Sequence, residues 1–464
     1  MALAGVPYKF VKNRFGISKS HYYGQRDRAE KILKILFAGG EWPRNIIVVT
    51  RNFIERCVMA LSLHCRAPIE SIVAFSDLVI GHHISKGTIH RIREKAAKSA
   101  GKFDVDVSLN SIKEIASDEI FQQNKPILTT VDLASGYVVG MDAAPDRSSE
   151  SWEHMLEKEK VHGLDPELNA SDGAAGLLNG MKRAFPDIEQ QPDVFHLLRD
   201  LGREVSHIER LAETKLQRHH DLKYWTCAKN REKSKRFSWS EYDNLCETID
   251  STLQATDEVM ILFGWLREYT AFSGYGYAKS FELCNWILDE MAMRFPSREK
   301  YQKSVRAFRK SLPRLLSFLH RLCRKMAAEA PMFHVSAHDF MLLYNQRACP
   351  YTSPEYEFMD QRLFTRFGKL LPDASEALDR MIASSHRASS MIENLNGRIR
   401  SFVDLKREIP EQFLILIKVF FNTKKPFRSR HSGWKNTSAL ERLTGKQYPE
   451  FLDLVVAPID YLIL

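Results

Sequence analysis

The spacing of apolar residues changes twice along the chain, and each change marks a different kind of element. In the first hundred residues it is helical. "GQRDRAEKILKILFA" (24–38) predicts a helix closed by Gly39-Gly40, and residues 51–66 predict another. In "APIESIVAFSDLVIGHHISKGTIHRIREKAAKSA" (67–100), Ile69, Ile72, Val73 and Phe75 to Leu78 suit one short helix. Gly81 lies in the break, and Ser85 can cap a second helix from about 86 to 98. From 126 the runs become β-branched. "PILTTVDLA" and "YVVGMDAA" predict a hairpin about Ser135-Gly136. Trp152 to Lys160 reads as a short helix, "ELNASDG" (167–173) as a third strand ending in an aspartate, and "AAGLLNGMKRAFP" (174–186) as an amphipathic helix stopped by proline. "EQQPDVFHLLRDLGREV" gives a short strand leading into another helix. Interleaved strands and helices predict an α/β sheet with mixed strand directions. From about 197 to 385 helical spacing dominates, as in "EVMILFGWLREYTAF" (258–272), which is enough for an all-helical domain. A helix over about 388–405 comes next, then another at 411–421 after Pro410, then a basic tail beyond Lys424.

Composition narrows the partner. At 464 residues more than one domain is expected. The net charge of +9 favours a polyanion such as nucleic acid, a modest signal because 58 acidic residues sit among 67 basic ones. Seven scattered cysteines without a CxxC pair argue against a zinc site or a disulfide frame and for reduced thiols in a cytosolic protein. The first residues lack a signal peptide's apolar segment. No apolar run reaches the roughly 18 residues that span a bilayer. The expectation is a soluble cytoplasmic, nucleoid-associated protein without membrane contact.

Helix, tight turn, helix over about 67–98 is the layout of a helix-turn-helix. Ile89, Ile92 and Ala96 fall on one face of the second helix, and Lys86, His90, Arg91, Arg93, Lys95 and Lys98 cover the rest. Such a surface can enter a major groove and meet phosphates; the alternative is a solvated basic helix packed within the chain. "KNREKSKR" (229–236) and the basic residues of 309–325 add further positive charge.

Three carboxylates stand out. Asp132 lies in an apolar strand, Asp172 at a strand end among small residues, and Glu393 beside the packing stripe of Ile392, Leu395, Ile399 and Phe402. A carboxylate at an apolar margin is costly unless it is paired or holds a metal. Oxygen ligands suit Mg²⁺, and two such ions can drive in-line displacement at phosphorus. Local readings stay open: Asp132 as a turn cap, Asp172 as a helix cap, Glu393 paired with Arg387 or Arg398.

The wording of these blocks resembles bacterial insertion-sequence transposases of the DDE type. "TTVDLASGYVVG" resembles the strands around the first aspartate, and "NASDGAAGLLNGMKRAFP" with "QQPDVFHLLRDL" the block around the second. "SHRASSMIENLNGRIRSF", with "FLILIKVFFNTKKPF" and "LERLTGK" after it, resembles the glutamate helix and the C-terminal region of those enzymes. The long helical stretch before the glutamate is similar to the insertion of the hAT and Mutator superfamilies. The resemblance implies an RNase H-like α/β core with a mixed sheet, interrupted by a large all-α insertion and preceded by a helical DNA-binding region. The implied parts are 1–110 with the helix-turn-helix, 111–200 as the first part of the core, 201–380 as the insertion, 381–425 as the last part of the core, and 426–464 as a basic tail. It also implies Asp132, Asp172 and Glu393 as the catalytic, metal-binding triad, with two Mg²⁺ or Mn²⁺ ions. Asp193 and His196 match the [C/D]xxH element after the second aspartate, which is not a zinc site. Arg398 and Arg400 would face DNA phosphates, surface salt bridges being the alternative. Trp225, Trp239, Trp265 and Trp286 are candidates for stacking on a flipped base, with core packing the blander reading. The implied activity is strand cleavage at the ends of an element and 3′-hydroxyl transfer into double-stranded target DNA by a homo-oligomer. A non-catalytic DNA-binding protein (a repressor or domesticated transposase) and a structure-selective nuclease on the same core are the competing readings.

Overall fold

The structure is a computed structural model, described for residues 7–37, 49–226, 238–385, 390–404, 409–429 and 433–457. The basic segment 229–236, Arg387 and the Trp225 side chain lie outside the described residues. The chain forms two compact units, residues 1–57 with 457–464, and residues 58–456. The first contains α1 (Tyr8–Phe15), α2 (Lys19–Phe37) and the start of α3 (Arg51–Leu63). Among the described residues no helix is long and apolar enough to cross a membrane.

The second unit opens with the anticipated helix pair. α4 (Ile69–Phe75) runs into one π-helical turn (Ser76–Ile80) and stops at Gly81, whose φ of 70° favours a residue without a Cβ. α5 (Lys86–Val105) starts where the Ser85 hydroxyl accepts the Thr88 amide hydrogen at 3.2 Å. Ile89, Ile92 and Ala96 are buried, as their spacing predicts. Leu78 and Val79 point outward instead.

Five strands come next: β1 (Glu114–Gln122), β2 (Lys125–Asp132), β3 (Val138–Ala143), β4 (Leu168–Ser171) and β5 (Glu189–Pro192). Their order across the sheet is β3-β2-β1-β4-β5. β1 runs antiparallel to β2, and β2 to β3, while β1, β4 and β5 are parallel. This is the mixed sheet that the pattern of elements predicts. Its central strand, β1, is nevertheless one that the apolar pattern does not announce. Two residues, Gln123 and Asn124, turn β1 into β2 with φ values of 48° and 69°, a left-handed pair that matches the strand twist.

One face of the sheet packs on α6 (Ser149–Val161) and α7 (Ala175–Ala184). Ile115, Leu128 and Val139 meet Trp152, Leu156, Leu177 and Met181 there. Gly180 lets the two helices touch, since a Cβ would stand 2.6 Å from Trp152 Cβ. α8 (Val194–Trp225), α9 (Trp239–Tyr269), α10 (Tyr277–Arg294), α11 (Glu299–Leu315), α12 (Ser317–Glu329), α13 (Ala337–Gln346), α14 (Pro354–Phe367) and α15 (Leu371–Ala383) then form a helical body. It has its own core, including Phe308, Phe318, Leu322, Phe340 and Leu363. Arg321 locks this body to the sheet edge through Glu189 at 2.5 Å and through Gln191. α16 (Ser390–Val403) returns to the sheet on the face opposite α6 and α7, and α17 (Glu411–Thr423), α18 (Ala439–Thr444) and α19 (Phe451–Val455) complete the unit.

Candidate active site

Register decides which acidic residues can meet. β1 and β4 are parallel neighbours with Ala116 opposite Ala170. Continued two residues past that pair, the register sets Asp172, just beyond the end of β4, beside Asp118, and Asp118 feels its negative charge. Asp118 is the residue that sequence reasoning missed. Burial first, and then the negative charge of Asp172, push its carboxyl up to about 6, against the pull of the Glu119 backbone amide. Asp172 is exposed just past β4, and its Oδ1 accepts the Ala174 amide hydrogen at 2.9 Å. The N-cap of α7 is Ala174, so Asp172 is not that helix's cap.

The start of α8 lies beside the end of β4, because the Asp193 amide donates to the Ser171 carbonyl at 2.7 Å. Asp193 is buried and caps α8 through Oδ1 to the Phe195 amide at 2.8 Å. Its Oδ2 accepts His196 Nδ1–H at 2.9 Å. That bond holds the imidazole above its ordinary pKa against the effect of burial. The bond to a carboxylate fixes the tautomer and aims Nε2 at Glu393 Oε1, 3.7 Å away.

Glu393 is carried on α16, and one turn later Asn396 fixes that helix to β1. Asn396 Nδ2 donates to Asp118 Oδ2 at 2.6 Å, and Thr129 Oγ1 lies 3.1 Å from Asn396 Oδ1 and 2.8 Å from the Asp118 carbonyl. Asn396 is 1% exposed, so these bonds are shielded from water. The structure therefore brings Asp118, Asp172, Asp193, His196 and Glu393 together.

It does not bring Asp132 to them. Asp132 pairs with Ile115, three residues back along β1 from Asp118, or about 10 Å at the usual strand rise. An odd offset in register also puts it on the opposite face of the sheet. There it is 2% exposed and its carboxylate closes the β2–β3 turn, accepting the amides of Ala134 at 3.3 Å and Ser135 at 2.8 Å and the Ser135 hydroxyl. Arg442, stacked 3.9 Å over Trp434, holds the same turn from outside by donating to the Ser135 carbonyl at 2.7 Å. Asp132 is engaged as a turn cap, and Asp118 is the strand carboxylate beside Asp172.

The basic candidates separate as well. His90, Arg91, Lys95 and Arg400 are exposed, and Lys86 is exposed but paired with Glu70 at 2.8 Å. Arg93 turns inward: it donates to Ser62 Oγ at 3.0 and 2.9 Å, lies over Phe413, and is pushed down to about 10 by burial. Arg398 sits 4.0 Å over the Phe421 ring and is likewise pushed to about 10. Neither guanidinium is presented to a ligand on the outside. Trp239, Trp265 and Trp286 are all about half exposed, and the last two stack on each other with centroids 6.4 Å apart.

The donor set fits a hard cation. Asp118 and Asp172 offer carboxylate oxygens at one level, and the strain of their like charges is what a cation relieves. Glu119, the next residue and so on the other face of β1, feels Asp172 too but is paired through Oε1 with Arg147 at 3.5 Å. Asp193, His196 and Glu393 also place one donor atom each within 4.8 Å of one another. Asp193 accepts the Phe195 amide on Oδ1 and His196 Nδ1–H on Oδ2, so it holds His196 as well as the start of α8.

Against this geometry, residues 118–263 match the Mutator family of transposases. The match begins at Asp118, takes in Asp172, Asp193 and His196, and ends in α9, so it covers less than a third of the chain. It supports a transposase role, which implies DNA as the partner. No curated protein matches the chain.

Proposed function

We propose that the protein is a DDE-type transposase with an RNase H-like core, whose triad is Asp118, Asp172 and Glu393. The observation that carries this reading is the convergence of three carboxylates from separated stretches of chain: Asp118 on β1, Asp172 just past the end of the neighbouring parallel β4, and Glu393 carried on α16, which Asn396 ties to β1, and faced by His196. The β3-β2-β1-β4-β5 order, with helices on both faces and an all-helical body before the glutamate helix, supports the core assignment. Bound at these oxygens, two Mg²⁺ ions supply activation of the attacking oxygen and charge stabilisation on the leaving one.

The chain's own residues do the remaining work. Asp118 and Asp172 would hold the ions from the rigid sheet, and Glu393 would close the site from the helix side. Asp193 keeps His196 in one tautomer, which keeps Nε2 toward Glu393. In the first step a water oxygen bonds to phosphorus and the bond to the 3′ oxygen breaks, leaving a 3′-hydroxyl and a 5′-phosphate. In the second that 3′-hydroxyl attacks a target phosphodiester and displaces the target's own 3′ oxygen. The α4–α5 pair acts as a helix-turn-helix, with His90, Arg91 and Lys95 toward DNA, and the protein works as a homo-oligomer holding both ends.

The test uses the full chain, Mg²⁺ and DNA taken from either side of its coding sequence. Cleavage and joining are expected, stopped by EDTA, and reduced about 10³-fold or more in Asp172→Asn and Glu393→Gln. Normal joining by either variant defeats the reading.

A further inference from the structure

Glu393, one member of the acidic cluster, lines a cleft of about 1220 Å³ whose other walls come from α8, α9 and the end of α15. Its walls carry more cations than anions. Arg199, Arg203, Arg210 and Arg267 face Glu268 and Glu393. The first three recur at spacings of four and seven, which places them on one side of α8. From Arg199 to Arg210 the helix rises about 16 Å, past roughly five phosphates of one strand. All four guanidiniums are exposed. Arg199 and Arg203 share a single acid, Asp200, at 3.8 and 3.4 Å, while Arg210 Nε bonds the Ser206 carbonyl at 3.2 Å. Two glycines shape the walls. Gly202 permits close helix packing, since a Cβ there would stand 3.0 Å from the Phe263 ring, whereas a Cβ on Gly264 would meet nothing within 4 Å.

We infer that this cleft is the path by which one DNA strand reaches the acidic cluster, its phosphates held by Arg199, Arg203, Arg210 and Arg267. The inference rests on the transposase reading for its ligand and adds the route. It makes the helical body a part of substrate binding, not only a spacer between β5 and the glutamate helix. Each arginine–phosphate contact displaces counterions, so the path has a signature in the salt dependence of binding.

The experiment measures binding of fluorescein-labelled flanking DNA by anisotropy at several salt concentrations. It compares the full-length wild type, the double variant Arg203→Gln/Arg210→Gln, and Gly264→Glu. The double variant is expected to bind at least 10-fold more weakly at about 0.1 M salt, with the slope of log K against log salt smaller in magnitude by about two. Gly264→Glu introduces a negative side chain into open space, so it is expected to weaken binding while thermal melting stays unchanged. It therefore keeps the test decisive if the arginine variant folds poorly. Wild-type affinity and slope in a folded Gly264→Glu, or in the folded arginine variant, overturn the inference. Failure is separable from failure of the transposase reading: weakened variants beside a wild type that never cuts DNA support the path and sink the chemistry, and a cutting enzyme with unaffected variants does the reverse.

Discussion

The end of β2 holds a buried aspartate and the middle of β1 a half-buried one, and the two are engaged in opposite ways. At the end of β2, Asp132 spends its carboxylate on neighbours two and three residues away, which makes it part of the turn it closes. In the middle of β1, Asp118 accepts one local amide, and its other oxygen is held by Asn396 from a helix 278 positions away. Asp118 also stands beside Asp172, whose negative charge raises the energy of its ionised form. Asp132 is the more buried of the two, yet its partners are all local. On the proposed reading, what separates the structural carboxylate from the reactive one is whether its partners complete a local loop or assemble distant parts of the chain around a shared negative charge.

Substitutions around each aspartate sharpen that contrast. The largest expected effect is on chemistry. His196→Ala removes the group that faces Glu393 and should lower cleavage rate about 10–100-fold, as loss of an orienting partner does at metal sites, with DNA affinity nearly unchanged. Single-turnover cleavage against binding separates the two quantities. Next comes Asn396→Ala, which frees α16 from β1 and leaves buried groups unpaired. It should cost about 1–3 kcal/mol in chemical denaturation and also slow cleavage, since it disturbs both the fold and the site. The smallest effect belongs to the turn. Ser135→Ala removes one hydroxyl bond to Asp132 and should cost about 1 kcal/mol of stability while leaving the cleavage rate untouched. A slowed reaction in Ser135→Ala would tie the turn to catalysis and break the contrast.

Much of this arrangement is legible in the sequence, for reasons that particular elements make plain. β2 and β3 announce themselves by β-branched runs, α5 by Ser85 and the spacing of Ile89, Ile92 and Ala96, and the glutamate helix by Ile392, Leu395, Ile399 and Phe402. Asp172, Asp193, His196 and Glu393 are within reach because each adjoins such an element. β1 is not, because "EIASDEIFQ" mixes Ser117, Asp118 and Glu119 with apolar residues and shows neither a clean alternation nor a continuous run. A central strand that carries polar and acidic residues breaks the apolar pattern that would reveal it. The one available signal is the Gln123-Asn124 pair, a two-residue turn between "SDEIFQ" and "KPILTT". Asp132 draws attention for the opposite reason: it interrupts an otherwise regular strand. Arg93 and Arg398 show the same limit, since charge along a helix does not say which cation is folded inward over a phenylalanine ring.

The most direct test sets the two aspartates side by side. Asp118→Asn and Asp132→Asn are compared for Mg²⁺-dependent cleavage of flanking DNA and for unfolding by urea. Asp118→Asn is expected to lose cleavage about 10³-fold or more yet remain folded, and Asp132→Asn to lose about 1–3 kcal/mol of stability yet cut DNA at close to the wild-type rate while folded. Full cleavage by Asp118→Asn, or its loss in a folded Asp132→Asn, contradicts the assignment of the two roles.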